Sequence, residues 1–231
     1  MKFLLILIIS SIILITKAKD IFMSTEGNDE TGDGSKLNPF LTLMKCQEIA
    51  NSGDTVYIRG GIYKNFPIAE YGKGYNYIHK FNKNFITYKS FNSEKVIFDL
   101  ENNSKYQIKD GLKAQRVAAF YIPKGAKNIT FEEFSVTGVP SLLLEDLEPL
   151  GQTLTQSECF QSRGQFIRFN RVNAYNNHAI GFYFVGTGSY NIAYRCDSYN
   201  NTGADKASKG NADGFGAHGT GAELIEWRAW D

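Results

Sequence analysis

Proline is scarce in this chain, at 5 of 231 residues, while Phe and Tyr are common enough to lift the aromatic share to 14%. A shortage of proline beside an abundance of aromatics excludes a disordered linker and suits β-strands. Charge of one sign is lacking as well. The formal net charge is +1, and loss of Lys2 and Lys17 with an N-terminal leader takes the 25 basic residues to 23, against 24 acidic ones. That balance gives no electrostatic basis for binding nucleic acid or an anionic membrane surface. Cysteine is limited to Cys46, Cys159 and Cys196, an odd number without metal-ligand spacing. A dense disulfide framework and a zinc site are thereby excluded. One bridge with a thiol left over, or pairing outside this stretch, stays open.

Long apolar runs are missing except at the start. Lys2 is followed by an apolar run from Phe3 to Ile15, broken only by Ser10 and Ser11, and Thr16-Lys17-Ala18 puts small residues where a signal peptidase needs them. A run of roughly 13 residues is too short to span a bilayer comfortably. Residues 1–18 are therefore expected to be a cleaved signal peptide and the protein to be secreted, an uncleaved anchor being the alternative. The rest, 19–231, is long enough for one domain with a sizeable core. Asn102, Asn128 and Asn200 each begin an Asn-x-Ser/Thr triplet, a weak glycosylation signal.

What is there is a rhythm. Asp20–Met23 predicts a strand, 27–34 a polar loop, Pro39–Ala50 an amphipathic helix with Phe40, Leu43, Met44 and Ile49 on its apolar side, and Thr55–Arg59 another strand. Short strands are then expected at Ile86–Tyr88, Val96–Phe98, Ala118–Ile122 and Ile129–Phe131. Three segments align further on: FNRVNAYNN from Phe169, YRCDSYNN from Tyr194 and IEWRAWD from Ile225. Val172, Cys196 and Trp227 share one position, Tyr175, Tyr199 and Trp230 another. The intervals are 24 and 31 residues, the second lengthened by TGADKASKG at Thr202–Gly210. Short strands, asparagine corners and such a period mark a solenoid whose coils stack at roughly 4.8 Å. An antiparallel sandwich is the competing architecture. Pro140–Gly164 breaks the rhythm and is expected to be an insertion with some helix at Leu142–Leu147, outside the solenoid.

HAIGFYFVGTG, from His178, and NADGFGAHGTG, from Asn211, share Ala, Gly, Phe, Gly, Thr and Gly in register. Ile180 then falls on Asp213 and Val185 on His218, so two apolar positions have become ionisable. Asp213 is read as a buried-side position turned acidic. The equivalent residue of the next coil falls past Asp231. If it is acidic too, two carboxylates stand one strand spacing apart and attract a hard cation such as Ca²⁺. Asp213-Gly214 also suits an ordinary turn. His218 and Lys209 equally suit solvated loops, and Arg228 an outward strand position.

Asn211-Ala212-Asp213-Gly214-Phe215, then Gly219-Thr220-Gly221 and Trp227-Arg228-Ala229-Trp230, resemble polysaccharide lyase family 9, the pectate lyases with a right-handed parallel β-helix. The helix-then-strand opening resembles the N-terminal cap of such folds. The resemblance implies an all-β parallel β-helix, incomplete on its C-terminal side, with Asp213 as a ligand of Ca²⁺. The family's Asp-Asp-Gly-x-Asp cluster and its base, a lysine, belong after Asp231. It implies an acidic plant cell-wall polysaccharide (pectin or polygalacturonate) as partner, β-elimination as reaction, and a monomer. Lys209, His218 and Arg228 are the candidate substrate-binding residues. With no base of its own, the chain is expected to show little elimination and, ending inside a strand, to aggregate. Two alternatives stand: another β-helix lyase or hydrolase of acidic glycans, and a non-catalytic glycan-binding surface protein.

Overall fold

The computed structural model describes residues 17–72, 74–101, 116–141, 157–186, 188–202, 213–218 and 221–230. The chain winds as a solenoid. It enters through β1 (Asp20–Met23) and helix α1 (Leu43–Ile49). The first coil holds β2 (Thr55–Ile58), β3 (Gly61–Tyr63), β4 (Glu70–Tyr71) and β5 (Tyr75–Lys80), the second β6 (Thr87–Ser90), β7 (Val96–Asp99) and β8 (Arg116–Ile122). The third follows with β9 (Thr130–Glu132), β10 (Ser135–Thr137) and β11 (Ser157–Ser162), the fourth with β12 (Arg168–Asn170), β13 (Asn173–Tyr175) and β14 (Ala179–Val185). The fifth has β15 (Asn191–Tyr194), β16 (Asp197–Tyr199) and β17 (Phe215–His218), and then come β18 (Ala222–Ile225) and β19 (Arg228–Trp230).

Successive coils pair strand on strand to give three sheets. The first runs β1-β2-β6-β9-β12-β15-β18, the second β3-β7-β10-β13-β16-β19, and the third β4-β5-β8-β11-β14-β17. Every pairing is parallel except β4 with β5. Equivalent side chains therefore stack. Phe160, Phe182 and Phe215 follow one another with near-parallel rings 4.7 and 4.8 Å apart. Tyr88, Phe131 and Phe169 do the same at 5.5 and 5.2 Å. Asn177 and Asn201 form a buried ladder: the Asn177 amide donates to Asn201 Oδ1 at 2.8 Å and accepts from the Val139 N–H at 2.9 Å. The three cysteines are buried and unpaired.

Two expectations need correcting. The helix begins at Leu43, not at Pro39, because Asp29 captures the Leu41 and Thr42 N–H groups and the Thr42 hydroxyl. Thr42 then caps the helix by accepting from the Lys45 N–H. The expected insertion over Pro140–Gly164 includes Ser157–Ser162, which run as β11 in the middle of the third sheet. Leu142–Leu147 lie outside the described residues, as do most of the expected leader, residues 1–16, and most of Thr202–Gly210.

Candidate polysaccharide-binding face

A break in pairing gives the third sheet its distinctive outer face. The pairing of β5 with β8 steps over Ile78 and Ala119, and that of β8 with β11 over Ala119 and Cys159. On both sides of the step the side chains face the core: Ile78 and His79 in β5, Ala119 and Phe120 in β8, Cys159 and Phe160 in β11. Alternation along a strand is therefore reset, as at a bulge. Two columns flank the reset on the outer side. One is Tyr77, Ala118, Glu158, Ile180; the other is Lys80, Tyr121, Gln161, Tyr183.

Carrying the register one coil further pairs Phe182 with Phe215 and Val185 with His218, and the Gly181 N–H donates to the Asp213 carbonyl at 3.0 Å. The expected alignment of Ile180 with Asp213 and of Val185 with His218 is thus observed. The side is not the expected one. Asp213 sits in the outer column and is exposed, because the reset turns that column away from the core.

Glu158 dominates the face. Its side chain is fully buried, its Oε1 accepts from the Tyr75 hydroxyl at 2.9 Å, and Arg116 Nη1 donates to the same hydroxyl at 3.1 Å. Burial pushes its pKa up to about 8, against smaller opposing effects from Tyr75, Arg116 and Arg163. Its burial therefore favours the protonated form. Glu158 Oε2 and both amide atoms of Gln161 are buried without a hydrogen-bond partner among the described residues. Tyr77 and Tyr121 stack at 3.9 Å, Tyr75 and Tyr77 at 5.7 Å, and Tyr183 meets the His218 ring at 5.2 Å. Lys80 on this face is engaged by Glu70.

Of the residues expected from sequence, the structure brings Asp213, two residues ahead of β17, and His218, at the end of β17, to this face. Arg228 is elsewhere. It belongs to β19 of the second sheet, where it grips Asp197 with two hydrogen bonds of 2.8 and 2.6 Å and lies over the Trp230 ring. Lys209 lies outside the described residues. Glu158, Tyr75 and Arg116 were missed, although an acidic residue in SECFQS was the available signal. Among the described residues no group of three or more His, Cys, Asp or Glu could hold a metal ion. Asp213 by itself does not make a calcium site.

The family model described as "Pel9A-like, right handed beta helix region" matches residues 21–231. A solved rhamnogalacturonan lyase superposes with a TM-score of 0.77 at 32% identity, over 92% of this chain and 52% of that one. The crystal structure of pectate lyase Pel9A superposes with a TM-score of 0.65 at 21% identity, over 93% and 48%. This chain thus spans about half the length of those structures. No curated protein matches the sequence.

Proposed function

This chain belongs to the Pel9A-like right-handed β-helix family, and from that premise we propose that it forms the substrate-binding part of a secreted lyase for galacturonate-containing pectic polymers. The observation that carries the reading is the outer face of the third sheet, where Tyr77, Tyr121 and Tyr183 stand on the first, second and fourth coils beside Arg116 and a buried acid, Glu158. An extended polymer lies along stacked coils, presenting one sugar after another to equivalent positions. A neutral Glu158 does not repel a uronate carboxylate, and Arg116 offers a donor to it.

Elimination removes the proton on C5 of a uronate and breaks the C4–O bond of the same ring; the glycosidic oxygen leaves with the adjoining sugar, and a double bond forms between C4 and C5. The electron pair left at C5 is stabilised if the adjacent carboxylate is neutralised. Arginine on this face supports that role. Asp213 is proposed as one carboxylate of a calcium site whose other ligands lie outside the described residues. A bound Ca²⁺ would supply further neutralisation of the uronate. The base is likewise assigned outside the described residues.

Polygalacturonate is the first substrate to test, on the Asn211–Phe215 motif. Rhamnogalacturonan is the second, favoured by the 32% identity to a lyase of that name. A protein joining this chain to the expected lysine should give products that absorb in the ultraviolet through the new double bond. This chain alone should bind the polymer and release little product. New reducing ends without that absorbance would replace elimination by hydrolysis.

A further inference from the structure

The corner before each strand of the first sheet carries a second feature. Gly53, Phe85, Asn128, Phe166 and Tyr190 occupy one position on five successive coils, as the flanking register requires. All five have positive φ, from 55° to 96°. Glycine and asparagine adopt this backbone readily, whereas an aromatic side chain is strained by it. Three of the five positions nonetheless hold aromatics, and these are not buried: Phe85 is 52% exposed, Phe166 49% and Tyr190 65%. At another corner the chain uses asparagine, with Asn176 and Asn200 at φ 54° and 49°.

Phe166 and Tyr190 stack face to face, with centroids 4.9 Å apart and planes 7° from parallel. Beside them a cavity of about 380 Å³ is lined by Asn128, Thr130, Arg168, Ile192 and Glu223 as well as the two rings. Arg168 is exposed. Among the described residues its guanidinium makes no ion pair, hydrogen bond or ring contact, in contrast to Arg59, Arg116, Arg171, Arg195 and Arg228.

We propose that Phe166, Tyr190 and Arg168 form a second polysaccharide-binding site, on the first sheet and separate from the candidate face of the third, that holds a segment of a uronate polymer. Flat aromatic surfaces pack against the C–H faces of sugar rings, Arg168 pairs with a carboxylate, and Asn128 and Glu223 offer hydrogen-bond partners for hydroxyls. Arg168 beside the stack draws a uronate carboxylate to its own end of the cavity, away from Glu223 in the same lining.

The double variant Phe166→Asn, Tyr190→Asn tests this without disturbing the corner, because asparagine suits the backbone there. Retention on immobilised polygalacturonate should weaken by on the order of tenfold, with the thermal midpoint unchanged or raised. Arg168→Gln should weaken retention on the acidic polymer and leave any retention on neutral cellulose unaltered. Unchanged retention in the double variant, or a fall in the thermal midpoint with retention intact, would show that the stack only joins coils and would overturn the site. The lyase reading fails separately. If the lysine-containing protein gives no elimination but the double variant still loses retention, the site stands and the proposed activity does not.

Discussion

Two buried titratable side chains in the third sheet act in opposite directions. Glu158 carries a raised pKa, about 8. The folded state therefore binds a proton that the unfolded state releases, and stability falls as pH rises from the ordinary carboxyl range through 8. His79 is fully enclosed, with Nδ1 3.0 Å from the Ala119 carbonyl, and burial lowers its pKa to about 4. Here the unfolded state takes up the proton first, so stability falls as pH drops from about 6.5 towards 4. The thermal midpoint should therefore peak in mildly acidic buffer. Glu158→Gln should flatten the alkaline side by about 1.4 kcal/mol for each unit of pKa displacement removed, while leaving the acidic side in place. An alkaline limb that survives the substitution would mean Glu158 is ionised in the folded protein.

At the level of elements, the solenoid was readable because its rule is local. Val172, Cys196 and Trp227 repeat, and the register pairs Tyr175 with Tyr199 and Tyr199 with Trp230 as the alignment required. Strand β11 was not readable. Glu158 and Gln161 lie on its outer side and Cys159 and Phe160 together on its inner side, so SECFQS lacks both alternation and a continuous apolar run. The same reset that hid the strand makes the candidate face, and it also explains why Asp213 turns outward. Arg228 was misplaced because its spacing from Asp213 along the chain carries no information about which sheet each joins. The asparagine corners were visible as repeated pairs, but not which member is buried. Asn177 is, and its loss strands the Val139 N–H and removes one of the two donors to Asn201 Oδ1. Asn177→Ala should cost about 1–3 kcal/mol. Asn200→Gly, which tolerates the positive φ there and removes only an exposed bond to Asn176, should cost less than about 1 kcal/mol. Thermal midpoints compare the two, and equal losses would contradict a buried ladder.

Across the whole molecule, stacking converts a one-dimensional repeat into long parallel stripes. Inward stripes are aromatic and aliphatic and hold the coils together. Outward stripes differ by sheet: tyrosine, arginine and a buried acid on the third, strained aromatics with Arg168 at the corner of the first, and the Asp197–Arg228 pair on the second. A linear polymer suits such stripes better than a compact ligand does, since each coil repeats the contact of the one below. The central claim is that an acidic polysaccharide lies along the outer face of the third sheet. A crystal structure of the protein with a galacturonate oligomer tests it most directly. Density for the sugars is expected across Tyr77, Tyr121 and Tyr183, with a uronate carboxylate towards Arg116. An oligomer ordered on another surface while that face stays bare would contradict the account.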